Sequence, residues 1–244
     1  MAVTHHRWWR QPGSEAAIMG VLNCTPDSFS DGGRFIDVES AVRHGVAMCS
    51  AGAAIVDVGG ESSRPGAKPV PLHEELERVI PVVSSLTERG CRVAIDTTKA
   101  EVMYQAVAAG ATMINDISAL SADGDALAVA ADCDVDICLM HRQGDSTTMQ
   151  IDPHYHDVTA EVIAYLQQRV DASLAAGISE QRLLVDPGIG FGKTVAHNLQ
   201  LLRDSGTIRH RLSLPLLIGL SRKSFLGQVT GSAVDARDSA SALA

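Results

Sequence analysis

The chain has 244 residues, of which 45% are hydrophobic and 20% charged, proportions that are ordinary for a soluble globular protein. Its formal net charge of -9 at pH 7 argues against a nucleic-acid partner. No apolar run approaches the ~20 residues of a membrane-spanning helix, so we expect no membrane partner. Five cysteines without a C-x-x-C spacing indicate a reducing compartment, and we expect a cytoplasmic protein.

Seven short apolar runs recur along the chain, and each ends in polar, glycine-rich or charged residues. Such β-branched and leucine-rich runs are typical of parallel strands that are buried on both faces. The seven predicted strands, with the residue that follows each, are 18–22 before Asn23, 54–58 before Gly59, 93–95 before Asp96, 112–114 before Asn115, 137–140 before His141, 183–185 before Asp186 and 216–220 before Ser221.

Helical patterns separate these runs. Apolar residues spaced three and four apart, often followed by glycine, predict amphipathic helices between consecutive strands. The predicted helices cover 38–51, 74–88, 101–109, 125–131 and 159–176, and a further one includes 199–202. Pro81 lies inside the second helix, where we expect a kink or a later start.

The alternation of strands and helices, without an interrupting linker, predicts a single domain over residues 1–244. Right-handed crossovers of this kind build either an open doubly wound sheet or a closed barrel. Polar residues at every strand end, rather than at one switch point, favour an α/β TIM (β/α)8 barrel. We expect its eighth strand and last helix to be missing from this chain, which would leave the domain C-terminally incomplete.

The strand ends of such a barrel share one rim, where catalysis takes place. We therefore expect the polar residues that follow the predicted strands to be neighbours in space. The connections 24–37 and 59–71 are long, and long loops in compact domains are usually binding loops or lids.

The segments at this predicted rim resemble the signatures of the dihydropteroate synthases, a pterin-binding family. The similar segments are 23–33 (N-C-T-P-D-S-F-S-D-G-G), 57–66 (D-V-G-G-E-S-S-R-P-G), 95–97 (I-D-T), 114–116 (I-N-D), 139–141 (L-M-H), 186–193 (D-P-G-I-G-F-G-K) and 221–224 (S-R-K-S). The resemblance implies a TIM barrel that joins 6-hydroxymethyl-7,8-dihydropterin pyrophosphate to p-aminobenzoate. The products would be 7,8-dihydropteroate, for folate biosynthesis, and pyrophosphate.

The residues suit the recognition of a pterin, whose 2-amino group and ring N–H form a donor pair that a carboxylate accepts. Asp186, at a buried strand end, is the best candidate for that pairing. Asp96 and Asn115 suit the remaining ring nitrogens, and Lys223 can donate to the ring carbonyl and N5. Each could instead cap a helix or form a turn, but their joint occurrence favours a site. The resemblance implies a pterin site made of Asp96, Asn115, Ile117, Met140, Asp186, Phe191 and Lys223.

The other two parts of the predicted site come from the long loops. The pyrophosphate needs cations and donors, which the resemblance assigns to Asn23, Ser62, Ser63 and Arg64. Asn23 resembles a residue that also contacts Mg²⁺, an ion that uses few protein ligands. The family commonly has threonine at the position of Ser63, which keeps the hydroxyl. The predicted p-aminobenzoate site contains Thr25, Pro26, Phe29, Pro65, Phe191, Lys223 and Ser224.

The sequence places no nucleophile at the strand ends, so we expect no covalent enzyme intermediate. The resemblance implies a dissociative loss of pyrophosphate, after which the arylamine captures a pterin methyl cation. The protein would then act by positioning and by electrostatic stabilisation. The residues that we expect to carry catalysis are Asp96, Asn115, Asp186, Lys223 and Arg64.

Two other interpretations stay open at this point. A methyltetrahydrofolate-type pterin methyltransferase domain should lack the segments 62–66 and 221–224, which this chain has. A non-catalytic pterin-binding homologue gains weight because no eighth strand supplies the Arg-x-His pair with which the family holds pyrophosphate. We therefore expect the chain to be a fragment, or to be unstable or inactive if it is complete. The resemblance also implies a homodimer when the C-terminal helices are present.

Overall fold

The computed structural model describes residues 16–25, 38–63, 66–144 and 148–243. Six strands in this part of the chain form one parallel sheet in the order of the sequence. They are β1 (Met19–Asn23), β2 (Ile55–Gly59), β3 (Val93–Asp96), β4 (Met113–Asp116), β5 (Asp136–Met140) and β6 (Leu183–Asp186). The predicted α/β class, with consecutive parallel strands as in a TIM barrel, is confirmed.

Helices connect the strands and cover the outer face of the sheet. They are α1 (Val38–Ser50), α2 (Leu72–Glu88), α3 (Ala100–Ala108), α4 (Ala126–Asp132), α5 (Val158–Ala175), α6 (Val195–Arg203), α7 (Ser205–Leu212), α8 (Ser224–Thr230) and α9 (Asp238–Leu243). None of these described helices is long and apolar enough to span a bilayer.

The helix α2 begins before Pro81, whereas one of our two expectations was a start after this residue. It runs from Leu72 through Pro81 to Glu88, so a start after the proline is wrong. Pro81 lacks the N–H that would bond to the carbonyl of Glu77, four residues before it. Both residues are exposed, so water can hydrate that carbonyl and the helix continues.

The seventh predicted strand, 216–220, does not form as a strand. Leu216 makes an isolated parallel bridge to Val185. Val185 N donates to Pro215 O at 3.0 Å, and Leu217 N donates to Val185 O at 2.9 Å. The run therefore lies beside β6, where the next barrel strand belongs. No described strand pairs with its other side, and the sheet order β1 to β6 stays open in this part of the chain.

The two faces of the sheet contribute to two different clusters of buried side chains. The inner face carries a small apolar cluster with about one residue from each strand: Ile55, Ala94, Met113, Cys138 and Leu184, with Met19 and Leu217 packed against it. We call this cluster the apolar floor. The larger cluster lies between the sheet and the helices. Since side chains alternate along a strand, the residues two positions after the floor face the same interior.

Candidate active site

A second layer of inner residues follows the apolar floor towards the carboxyl ends of the strands. Two residues after each floor residue of β2 to β6 stand Asp57, Asp96, Asn115, Met140 and Asp186. Four of these five side chains are polar, and we call this layer the polar rim. It includes the three polar strand-end residues that the sequence predicted to converge.

Asp96 ends β3, in register with Gly59 at the end of β2 and with Asn115 in β4. A Cβ atom at position 59 would lie 3.4 Å from Asp96 Oδ2, so glycine keeps space beside this carboxylate. Burial raises the pKa of Asp96 well above its usual range, and the charge of Asp57 raises it further. The nearby Lys223 lowers the same pKa. The carboxylate is thus held in a poorly solvated place.

Asn115 is 9% exposed, and its side chain is held by an acid that the sequence reasoning missed. Asn115 Nδ2 donates to Asp57 Oδ2 at 2.8 Å. Asp57 is 5% exposed, and its other oxygen, Oδ1, has no hydrogen-bond partner among the described residues. Burial raises the pKa of Asp57 from 3.8 to about 6, and the bond from Asn115 offsets part of that rise.

Asp186 ends β6, opposite Met140 of β5 in the register. Its Oδ1 accepts a hydrogen bond from Gly188 N at 2.7 Å. Gly188 has φ +70°, and a Cβ there would lie 1.8 Å from His141 O, so only glycine fits this turn. Burial raises the pKa of Asp186, and the bond from Gly188 and the charge of Lys223 lower it. One oxygen of Asp186 is thereby anchored to the backbone of its own turn.

Lys223 brings a positive charge to the acids of the rim. Burial lowers its pKa, while the charges of Asp186 and Asp96 raise it. Its Nζ lies 4.2 Å from the centroid of the Phe191 ring, within the range of a cation–π contact. The structure therefore brings together Asp96, Asn115, Asp186 and Lys223, although they are far apart in the sequence.

The other predicted pterin residues lie around this cluster. Met140 is 4% exposed and belongs to the same inner layer, whereas Ile117 is half-buried just after β4. Phe191 is half-buried and in contact with Lys223. Apolar side chains thus adjoin the polar rim, as a flat heterocycle requires.

Two predicted residues of the first loop can be placed. Asn23 ends β1 in register with Gly59, and its side chain is exposed. Thr25 follows two residues later and is half-buried. Pro26 and Phe29 lie outside the described residues.

The second loop and α8 carry the remaining predicted contacts. Ser62 and Ser63 are half-buried soon after β2, whereas Arg64 and Pro65 lie outside the described residues. Ser224 begins α8, is exposed, and helps to line a cavity of about 430 Å³.

Both ends of the second loop are fixed by one carboxylate. Glu61 Oε2 accepts from Val70 N at 2.9 Å and from Lys99 Nζ at 2.7 Å. Lys99 also pairs with the buried Glu75, whose other oxygen accepts from Thr97 Oγ1 at 2.7 Å. We call Glu61, Lys99 and Glu75 the loop clamp. It holds the base of the loop that carries Ser62, Ser63 and Arg64.

Comparison with known proteins decides the family of this chain. The profile of the family described as "Pterin binding enzyme" matches residues 19–244. The dihydropteroate synthase of Escherichia coli K12 is 49% identical over 217 residues, which cover 88% of this chain and 76% of that protein. The chain belongs to the dihydropteroate synthases. The relative from Mycobacterium leprae is 46% identical and covers the same shares of the two chains, 88% and 76%.

Solved dihydropteroate synthases have the same fold. The Xanthomonas albilineans enzyme with 4-aminobenzoic acid is 48% identical and superposes with a TM-score of 0.86, covering 93% of this chain and 82% of that one. The same enzyme in complex with 7,8-dihydropteroate is 45% identical with a TM-score of 0.82 and the same coverage of 93% and 82%. The resemblance that the rim segments indicated is therefore confirmed.

A second buried contact braces the rim of this dihydropteroate synthase. Lys193 is 3% exposed, and its Nζ donates to Phe191 O at 2.9 Å and lies 3.0 Å from His141 Nδ1. Burial lowers the pKa of Lys193 to about 7. Burial and the adjacent Lys193 lower the pKa of His141 to about 3, so the imidazole is neutral at neutral pH. This pair joins the turns that follow β5 and β6.

The cysteines near the rim are poor nucleophiles. Burial raises the pKa of Cys24 to about 12 and that of Cys138 well above its usual value. Thiols attack substrates as thiolates, which these groups do not provide at neutral pH. The expectation that no covalent enzyme intermediate forms stays a prediction.

Asn23, which precedes the first loop, is a suitable ligand for a magnesium ion. Mg²⁺ prefers oxygen ligands, keeps several waters and needs only one or two protein groups alongside substrate phosphates. The exposed amide of Asn23 at the rim meets that requirement. The described residues contain no cluster of three or more His, Cys, Asp or Glu that could hold a metal by protein ligands alone.

Proposed function

We propose that this chain is a dihydropteroate synthase in activity as well as in family. It condenses 6-hydroxymethyl-7,8-dihydropterin pyrophosphate with p-aminobenzoate, and it releases 7,8-dihydropteroate and pyrophosphate for folate biosynthesis. The observation that carries this conclusion is the convergence of Asp96, Asn115, Asp186 and Lys223 at one rim, in a chain 49% identical to a dihydropteroate synthase. Relatives solved with 4-aminobenzoic acid and with 7,8-dihydropteroate support both substrates.

Pterin recognition rests on matched donors and acceptors. The Asp186 carboxylate accepts from the 2-amino group and a ring N–H, and the bond from Gly188 N restricts its orientation. Asp96 and Asn115 hold the remaining ring nitrogens. Lys223 donates to the ring carbonyl and N5. Met140, Ile117 and Phe191 supply the apolar surfaces against which the flat ring packs.

The pyrophosphate is held by residues of the two long loops. Arg64 supplies positive charge, Ser62 and Ser63 supply hydroxyl donors, and Asn23 supplies its amide. The same Asn23 is the protein ligand that we propose for Mg²⁺. When bound, Mg²⁺ neutralises charge on the phosphate oxygens and so stabilises the leaving group.

The reaction begins as the bond between the pterin methylene carbon and the pyrophosphate oxygen breaks, and the electron pair leaves with pyrophosphate. Asp96 and Asp186 stabilise the positive charge that develops on the pterin, because carboxylates in a poorly solvated site act strongly on nearby charge. The amine of p-aminobenzoate then donates its lone pair to the methylene carbon. The new C–N bond forms, and the nitrogen releases one proton, which the departing pyrophosphate can accept.

The second substrate binds between the loops and α8. Thr25, Pro26, Phe29 and Pro65 come from the loops, and Phe191, Lys223 and Ser224 come from the other side. These contacts position the arylamine for attack and exclude water from the cation. The family membership also supports a cytoplasmic location and, when the C-terminal helices are present, a homodimeric assembly.

The function is tested by turnover. The purified chain, the two substrates and MgCl₂ should yield 7,8-dihydropteroate, measured by mass spectrometry, and pyrophosphate in equal amount. Omission of either substrate, or an excess of EDTA, should abolish the product. Calorimetric binding of the pterin pyrophosphate without turnover would indicate a non-catalytic pterin-binding homologue. Absence of both binding and turnover in folded protein would contradict the proposal.

A further inference from the structure

Asp57 is a buried acid in the polar rim for which the proposed chemistry has no use. It stands directly above the apolar floor, two residues after Ile55 in β2. One carboxylate oxygen accepts from Asn115 Nδ2, and the other is buried without a partner among the residues that the structure describes. A half-satisfied buried carboxylate costs folding free energy, and an apolar residue above the floor would cost less. Its presence calls for a functional reason.

The chemistry of the contact fixes the orientation of the Asn115 amide. An ionised carboxylate only accepts hydrogen bonds, so the group that faces Asp57 must be the NH₂ of Asn115 and not its carbonyl oxygen. Asp57 and Asn115 belong to the same layer of the rim, on the strands β2 and β4 that flank β3. The NH₂ of Asn115 is therefore directed across β3 towards β2. The carbonyl oxygen of the same amide faces away from Asp57 and is left for the proposed pterin.

We propose that Asp57 is a positioning residue that makes Asn115 a hydrogen-bond acceptor towards the pterin. This inference rests on the proposed function, because it assumes a pterin beside Asn115. Without Asp57, the amide could turn by 180° about its terminal bond and present NH₂ to the ligand instead. The rim would then favour ligands with an acceptor at that edge over those with an N–H donor. Asp57 thus sets specificity without touching the substrate.

A reciprocal exchange of the two side chains tests this orientation directly. Asp57→Asn keeps the shape but allows the amide of Asn115 to face either way, and we expect the Kd of the pterin pyrophosphate to rise about tenfold. Asn115→Asp sets two carboxylates against each other, and we expect a loss of affinity at least as large. The double variant restores a donor at position 57 and an acceptor at position 115. Its Kd should return to within about threefold of the unsubstituted chain.

The measurement is calorimetric titration of the full chain with 6-hydroxymethyl-7,8-dihydropterin pyrophosphate and MgCl₂, accompanied by thermal unfolding of each variant. Asp204→Asn serves as a matched control, because it removes a carboxylate that accepts from Thr159 Oγ1 at 2.7 Å, between α5 and α7. Its Kd should not change.

The outcomes separate this inference from the proposed function. An unchanged Kd in Asp57→Asn, or a double variant no better than Asn115→Asp alone, would overturn the inference while the function stands. A lower unfolding temperature with unchanged Kd would make Asp57 a merely structural residue, which also overturns it. If the unsubstituted chain binds no pterin pyrophosphate, the proposed function fails and this inference fails with it.

Discussion

The apolar floor and the polar rim occupy the same strands and the same face of the sheet, one step of two residues apart. The floor contains Ile55, Ala94, Met113, Cys138 and Leu184. The rim places acids and an amide directly above them, and burial raises the pKa of each acid there. The floor excludes water from the lower side of the rim, so charges in the rim are poorly solvated. Their ionisation therefore costs free energy, and their interactions with nearby charges are stronger. The residues that stabilise the fold therefore differ from those that we propose for the chemistry, but the floor affects the rim through solvation.

The largest effect should follow from removing the ammonium group of Lys223 from the rim. Lys223→Met keeps the length of the side chain but removes a charge that lowers the pKa values of both Asp96 and Asp186, and Lys193 remains beside Asp186 alone. We expect kcat/KM to fall about 10³-fold, as when a stabilising donor is lost from an active site. Steady-state kinetics measure this. A fall below tenfold, with the unfolding temperature unchanged, would show that Lys223 is peripheral.

A cavity in the apolar floor should have the opposite effect, lowering stability while leaving substrate affinity nearly unchanged. Met113→Ala empties a place where the side chain is 1% exposed, and such cavities cost about 2–5 kcal/mol of the free energy of unfolding. Because Met113 lies one layer below the rim, the KM values measured well below the unfolding temperature should stay within about twofold. Urea unfolding and kinetics of the same preparation check both halves. A selective loss of pterin affinity would contradict the separation of the two layers.

The poor solvation of the rim above the floor should appear as a pH dependence of the free energy of unfolding. Burial raises the pKa of Asp57 from 3.8 to about 6, so the folded protein binds this proton more tightly than the unfolded chain. Its contribution to stability is complete below about pH 4 and is lost as the pH rises through about 6. The pKa values of Asp96 and Asp186 are shifted in the same direction.

Asp57→Asn should therefore remove part of this dependence, on the order of 1–3 kcal/mol between pH 4.5 and 7. Urea unfolding of the variant and of the unsubstituted chain at both pH values measures the difference. Parallel stability curves would contradict the expected role of burial at position 57.

The smallest effect should come from the loop clamp, which lies outside both layers. Glu61→Gln weakens the carboxylate that holds Val70 N and Lys99 Nζ, and we expect about a tenfold loss of kcat/KM for the pterin pyrophosphate. Glu101→Gln is the matched control, because Glu101 is exposed on α3 and bonds only to Gln105 in the described contacts. Equal kinetics for the two variants would show that the clamp does not position the loop.

The strand ends could be predicted from the sequence because a buried parallel strand leaves an apolar run with a polar terminus. Asp96, Asn115 and Asp186 were found in this way, and Lys223 from its place after the last run. The seventh run was predicted as a strand, but it makes only one bridge, to Val185. Periodicity reports burial, and it does not report whether a partner strand is present.

Asp57 was not predicted as a site residue, although it begins the family-like segment 57–66, because it lies inside the apolar run 54–58. The signal was present, since an acid is rarely fully buried without a partner. The loop clamp had no such signal. Glu61 and Lys99 are 38 positions apart, and only the parallel pairing of β2 and β3 brings them together. Contacts of that kind depend on the tertiary fold and cannot be deduced from local spacing.

The two hydrogen bonds that Glu61 accepts, from Val70 and from Lys99, have a consequence for engineering. They join the two ends of the second loop to each other and to the start of α3. The loop between these ends should therefore tolerate added residues at small entropic cost, because the entropy of loop closure grows slowly with length. Since this loop carries three of the proposed pyrophosphate contacts, we expect such changes to alter anion binding before they alter stability.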